Sequence, residues 1–203
     1  MLHFNTIYPE TLELLKKLQS YYDFKELRLV GGTSLALQIG HRISIDIDLF
    51  GQIEFDDMLL FKLSKDFDSF IHIKKSKNIN IFTINNIKVD FVNYPYPWLN
   101  KSVEEKNIVM ASLPDIAAMK LSAISGRGSK KDFIDIYYLL QYYSLNQMLG
   151  FYKQKFNDGS EFLVMRSLSY FEDAENSEMP IMINTVDWND VKKSIKAEVI
   201  KIS

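Results

Sequence analysis

Two aspartates, Asp46 and Asp48, have the type and spacing to do chemistry. They lie in residues 44–50, SIDIDLF, where polar and apolar side chains alternate strictly. Such alternation predicts a strand with one buried face, and residues two apart on a strand share a face. Ile45, Ile47 and Leu49 are expected on a core, with Ser44, Asp46, Asp48 and Phe50 opposite them. Two carboxylates about 6.5–7 Å apart along a strand repel unless a cation lies between them, and a hard divalent ion takes anionic oxygen ligands. Aspartate is a poor strand former, so a pair in one strand asks for such a reason. The simpler alternative is two solvated side chains on a half-exposed strand. Residues 87–92, IKVDFV, add a third carboxylate, because Asp90 shares a face with Lys88 and Val92. If the two strands are neighbours, Asp46, Asp48 and Asp90 converge. Three carboxylates can hold two Mg²⁺ or Mn²⁺ ions about 3.5–4 Å apart, the arrangement for in-line phosphoryl or nucleotidyl transfer. The alternative for Asp90 is a surface residue paired with Lys88 or another lysine.

Other residues suit phosphate. Gly31, Gly32, Thr33 and Ser34 follow an apolar strand and open a helix. Glycine lets the backbone approach a ligand, and a helix N-terminus offers N–H groups to an anion; a hydroxyl there can instead cap the helix. No GK[ST] follows, so this is not a Walker loop. Arg42, between Gly40 and the aspartate strand, is a further candidate phosphate contact, and His41 reads as a loop residue. On a helix over 114–125, Lys120 has Ile116, Ala117, Ala123 and Ile124 as neighbours. It either snorkels from a core edge or serves a buried anion. Residues 127–131, RGSKK, gather Arg127, Lys130 and Lys131 between two helices. They form either a solvated basic turn or a contact with triphosphate or an RNA backbone. Asp132 in the next first turn suits the helix dipole. Asp135, among Ile134, Ile136 and Leu139, is placed to position Lys120, Arg127 or Lys131 through an ion pair. Tyr137, Tyr138, Tyr142 and Tyr143 read as core and rim.

The elements that must position these groups follow from pattern. Helices are predicted at 10–20, 33–39 and 55–67, and strands at 27–30, 44–50, 70–75, 79–84 and 87–92, with Asn85 and Asn86 as a tight turn. After Pro114 the texture is helical, at 114–125, 130–143, 145–156, 160–170 and 187–200, with 172–178 as an exposed acidic loop. The chain divides into an α/β part, 1–110, and a helical part, 111–203. Its 203 residues are 47% hydrophobic and 25% charged, which is globular composition. Cysteine is absent and the three histidines are scattered, which excludes thiol chemistry and Cys-ligated metal and leaves carboxylate oxygens for Mg²⁺, Mn²⁺ or Ca²⁺. A net charge of −2 gives no global field for nucleic acid, though a local patch remains open. With no leader-like N-terminus and no apolar run of about 18 residues, a soluble, cytoplasmic protein without a membrane partner is expected.

A glycine pair, a short helix, DxD on a strand and a later strand aspartate resemble the signature of the polymerase beta-like nucleotidyltransferase superfamily. Two stretches, GGTSLALQIGHRISIDIDLF (31–50) and LPDIAAMKLSAISGRGSKKDFIDIYYLL (113–140), resemble the AbiEii/AbiGii toxin family within it. The resemblance covers about residues 25–145. It implies an α+β fold, a polymerase beta-like mixed sheet with flanking helices followed by a C-terminal helical domain. It also implies metal-dependent transfer of a nucleoside monophosphate from an NTP, with Mg²⁺ or Mn²⁺, to an acceptor such as the 3′ end of tRNA. Members act as toxins in toxin–antitoxin and phage-defence systems, so a cognate antitoxin is an expected partner. On the family pattern Gly32, Thr33 and Ser34 meet phosphate, Asp46 and Asp48 hold metal, Lys120 is the essential lysine, and Asp132 or Asp135 is the late aspartate. Because the glycine motif's second position is Gly32, a serine contact falls to Ser34 or Ser44. A protein acceptor, or a binding module without turnover, are the alternatives on the same fold.

Overall fold

The structure, a computed structural model, describes residues 1–202. It has two compact units. One comprises Met1–Ile39, Ser44–Pro95 and Ser102–Ala111, and the other Gly40–Ile43, Tyr96–Lys101 and the chain from Ser112 onward.

The first unit is a seven-stranded mixed sheet with three helices. In chain order it runs α1 (Pro9–Gln19), β1 (Arg28–Leu29), α2 (Gly31–Ile39), β2 (Ile47–Gly51), α3 (Asp57–Asp66), β3 (Phe70–Lys75), β4 (Ile79–Ile84), β5 (Ile87–Asn93), β6 (Val103–Glu105) and β7 (Ile108–Met110). The spatial order is β3-β4-β5-β2-β1-β7-β6. β2 runs parallel to β5, and β1 parallel to β7; the other pairs are antiparallel. Alternation decides the two faces. Ile47, Leu49, Val89, Phe91, Phe82 and Ile84 are fully buried in one core with Leu15 and Leu18 of α1 and Leu63 of α3. Each such side chain contributes about 1.5–3 kcal/mol by leaving water. Residues at the alternate positions, Asp48, Phe50, Asp90 and Val92, are only half-buried.

The aspartate strand is shorter than the alternation predicts. It starts at Ile47, and Ile45, expected in the core, is 54% exposed. The cause is backbone pairing: the Ser44 N–H donates to the Thr6 carbonyl at 2.9 Å instead of to a sheet neighbour. Ser44 and Asp46 therefore precede β2. The Asn85–Asn86 turn is present, with φ of 49° and 66°. A second hairpin, β6–β7, turns at Lys106 and Asn107 with φ of 54° and 62°. Three-residue strands are too short to show alternation, and sequence reasoning missed both.

The second unit is helical: α4 (Leu113–Gly126), α5 (Lys130–Leu139), α6 (Leu145–Lys155), α7 (Glu161–Leu168), α8 (Glu172–Glu175) and α9 (Trp188–Ile200). Side-chain caps start four of these. Ser112, Ser160 and Asp187 each accept a first-turn N–H, and Ser144 with Gln147 forms a capping box. That box ends the preceding helix early. α5 stops at Leu139, short of the expected 143, because Ser144 must be extended to cap α6. The acidic stretch 172–178, expected as loop, contains the short helix α8, anchored by buried Ala174.

Candidate active site

Within the first unit, the pairing of β2 with β5 sets Asp48 directly opposite Asp90. Neighbouring strands are about 4.8 Å apart, so the two carboxylates stand side by side on the sheet face opposite the core. Gly31 makes room for one of them. Its φ is +68°, and a Cβ there would lie 2.2 Å from Asp48 Oδ2. Only glycine satisfies both constraints. The Val30 N–H also donates to the Asp48 carbonyl at 2.9 Å, tying the β1–α2 junction to β2.

Asp46, at the approach to β2, is positioned from α2. Thr33 Oγ1 donates to the Asp46 backbone carbonyl and lies 2.9 Å from Ser44 Oγ. Thr33, Ser34 and Ser44 are all buried, and Ser34 Oγ accepts from Gln38 Nε2. These three hydroxyls, expected at phosphate, are thus engaged within the unit. The first turn of α2 at Gly31 and Gly32 still presents backbone N–H groups.

Asp90 is held by a lysine of its own strand. Lys88 Nζ donates to Asp90 Oδ2 at 2.7 Å, the pairing named above as the alternative to a metal role. The other oxygen, Oδ1, is buried without a hydrogen-bond partner. Partial burial disfavours the Lys88 ammonium, but the bond to Asp90 and the charges of Asp48 and Asp46 outweigh it. They hold Lys88 above the ordinary lysine range. As they stand, no three acidic or histidine side chains among the described residues are gathered tightly enough to hold a metal ion. The donor set nevertheless fits Mg²⁺ or Mn²⁺: hard carboxylate oxygens, two of them in register, and one orphaned buried oxygen facing no donor.

In the second unit the remaining polar candidates form one buried cluster. Asp132 and Asp135, one turn apart on α5, are both fully buried. Lys120 of α4 reaches both, at 3.1 Å from Asp132 Oδ1 and 2.5 Å from Asp135 Oδ2. It is 4% exposed, so it serves buried anions and does not snorkel. Arg42 forks onto Asp135, with Nε at 2.7 Å and Nη2 at 2.9 Å, and Arg127 forks onto Asp132 at 2.8 and 3.0 Å. The Arg42 guanidinium, expected at phosphate, thus faces inward, whereas Arg127 is 61% exposed at its side chain. Lys131 is exposed. Burial pushes both carboxylates up. For Asp132 the Arg127 and Lys120 contacts, and for Asp135 the Arg42 and Lys120 charges, overwhelm it and hold both well below the usual range.

His41 was not among the expected functional residues. It is fully buried, and its Nε2 lies 2.7 Å from Asp135 Oδ1. Its Nδ1 has no partner. A neutral ring with the proton on Nε2 suits this site, because a protonated ring would bury an unsatisfied donor. Burial accordingly lowers the His41 pKa despite the opposing Asp135 contact. Backbone bonds with residues 181–183 fix the segment Gly40–Ile43 that carries His41 and Arg42. Nothing local in the sequence links His41 to a residue 94 positions away. A second missed pair is Lys155 with Asp115, 2.7 Å apart and fully buried. Asp115 also accepts the Leu99 N–H, and Lys155 bonds the Pro97 carbonyl, so this pair anchors the proline-rich segment.

Comparison with known proteins bears on what these arrangements do. The family model described as nucleotidyl transferase AbiEii toxin, type IV TA system, matches residues 13–97 and 61–201. The uncharacterised protein aq_aa25 of Aquifex aeolicus is 34% identical over 203 residues, 94% of each chain. A Helicobacter pylori structure described as a candidate nucleotidyltransferase superposes with a TM-score of 0.64 at 14% identity, covering 96% of this chain and 95% of that one. MenT4, a nucleotidyltransferase toxin of Mycobacterium tuberculosis, gives 0.59 at 14% identity over 93% and 80%. At that identity the structures establish a shared fold, the α+β nucleotidyltransferase sheet with a helical C-terminal part.

Proposed function

Because this chain belongs to the AbiEii family of nucleotidyltransferase toxins, we propose that it transfers a nucleoside monophosphate from an NTP to an RNA 3′ hydroxyl, that of tRNA foremost, as the toxin of a toxin–antitoxin pair. The observation that carries the reading is the register of Asp48 with Asp90, beside a glycine whose missing side chain leaves room for the Asp48 carboxylate. Asp46, Asp48 and Asp90 are the residues that would hold Mg²⁺ or Mn²⁺, which when bound neutralises phosphate charge and activates the attacking hydroxyl. In the reaction the acceptor oxygen forms a bond to the α-phosphorus. The bond from that phosphorus to the β-phosphate oxygen breaks, pyrophosphate leaves, and the hydroxyl proton passes to solvent.

The protein's own contributions are positional. Thr33 holds the Asp46 backbone, and Gly31 seats Asp48. Backbone N–H groups of Gly31 and Gly32 at the start of α2 suit a phosphate better than the engaged hydroxyls of Thr33, Ser34 and Ser44. In the second unit, Asp132 and Asp135 hold Lys120 in place, while Arg127 and Lys131 reach the surface as cations for phosphate. The Lys88–Asp90 pair favours a second reading, a binding module without turnover, since it gives Asp90 a partner at rest.

One experiment separates the two. The purified protein is incubated with each α-labelled NTP, Mg²⁺ and total cellular RNA, beside Asp46→Ala. Asp46 is half-exposed outside a strand, so its loss leaves the fold intact. Label on a tRNA-sized band with the wild type and none with Asp46→Ala is expected. Label on protein instead would move the acceptor, and nucleotide binding with no label on any polymer would establish the module.

A further inference from the structure

Asp90 sits in β5 on the same sheet face as Asp48. One of its oxygens is buried without a partner, and the other meets Lys88. A lysine–carboxylate pair whose lysine side chain is 46% exposed contributes little to stability, whereas an orphaned buried acceptor is costly. A purely structural account of the pair therefore fails on its own terms. The geometry carries a different one. Lys88 stands two residues before Asp90 on β5, hence on the carboxylate face. There its ammonium bonds Asp90 and lies within reach of the charges of Asp48 and Asp46. It occupies Oδ2, one of the two carboxylate oxygens that Asp90 could offer to a metal, and its charge opposes a cation at either.

We propose that Lys88 is the built-in counter-ion of this carboxylate face, competing with the divalent cation for Asp90 and so setting how tightly the metal is held. The inference rests on the metal-dependent reading above. Lys88 is then a positioning residue that acts through Asp90. At rest it holds Asp90 on itself. When the cation binds, the ammonium is displaced from Asp90 Oδ2 and released toward solvent, where its long stem already leads. The consequence is a metal site that binds weakly on its own and more tightly when NTP brings additional oxygens.

The test is direct binding of Mn²⁺ to the full chain without NTP, by electron paramagnetic resonance titration, for wild type, Lys88→Met, Lys88→Arg and Asp90→Asn. Lys88→Met is expected to tighten Mn²⁺ by roughly 10- to 100-fold, the range over which partners of metal ligands alter affinity. Lys88→Arg keeps the charge and should bind like wild type, while Asp90→Asn should lose the gain. Melting temperature gives a second readout: Lys88→Met melts lower than wild type without metal and recovers when Mn²⁺ is added. A role confined to folding would lower the melting temperature without tightening Mn²⁺. Equal or weaker Mn²⁺ binding by Lys88→Met overturns the proposal while leaving the metal reading intact. No Mn²⁺ binding by any variant, even with NTP present, overturns the metal reading itself and this proposal with it.

Discussion

Gly31 is where a single missing side chain does most. A residue with a Cβ would face a left-handed backbone conformation, costing about 1–2 kcal/mol, and a 2.2 Å contact with Asp48 Oδ2 that the carboxylate must move to relieve. Gly31→Ala should therefore displace Asp48 more than it unfolds the protein. We expect destabilisation of about 1–3 kcal/mol and a loss of nucleotide transfer of about 100-fold, the scale that a 1 Å misplacement produces. Denaturant unfolding and single-turnover transfer on the same preparation would separate the two effects. A Gly31→Ala protein that is destabilised yet transfers normally would mean the Asp48 carboxylate is not at the reacting centre. Asp135 shows the opposite economy, one carboxylate serving several donors. Replacing it by asparagine strands Arg42 without its buried counter-charge and leaves Lys120 with Asp132 alone. The expected cost is about 3–5 kcal/mol, read by the same unfolding measurement.

At the scale of elements, the cluster on α4 and α5 makes stability depend on pH in two stages. Asp132 and Asp135 are held below the usual carboxylate range in the folded chain, while the unfolded chain protonates near pH 3.9. The unfolded state then binds more protons below about pH 4, so stability is full above that value and falls as the pH drops past it. His41 acts earlier. Burial lowers its folded pKa, the unfolded ring takes up its proton near pH 6.5, and stability therefore declines from about pH 6.5 down to the folded value. Melting temperature against pH should show both stages in the wild type and only the acidic one in His41→Gln. These contacts also mark the limits of legibility. Periodicity sufficed for the three helices of the first unit, for the long strands and for the shared face of Lys88, Asp90 and Val92, because each depends on near neighbours. It failed where a backbone partner lay far away. Thr6 ends the pairing of the aspartate strand before Ile45, and residues 181–183 fix the segment that turns His41 and Arg42 toward Asp135. The three-residue strands β6 and β7 carry too few side chains for any period.

For the molecule as a whole, charge limits what RNA recognition can be. A net charge of −2 supplies no long-range attraction for a polyanion. Any RNA affinity must then come from a few local cations, and the turn between α4 and α5 offers them. Lys131 is exposed, and Arg127 keeps its fork on Asp132 while most of its side chain stays exposed, whereas Lys130 spends its ammonium on the Glu175 and Ser177 carbonyls. Each phosphate neutralised on a single strand contributes about −0.7 to the slope of log affinity against log salt. Two such cations predict a slope of about −1.4 for a short single-stranded RNA. Fluorescence anisotropy over a range of salt concentrations measures it. Arg127→Ala with Lys131→Ala should flatten the slope nearly to zero while leaving NTP affinity in place, if these cations serve the acceptor. Should the double variant lose NTP and keep the RNA slope, they serve the triphosphate instead. A wild-type slope steeper than about −4 would require six or more phosphate contacts, a footprint far wider than this turn, and would locate RNA recognition on another surface.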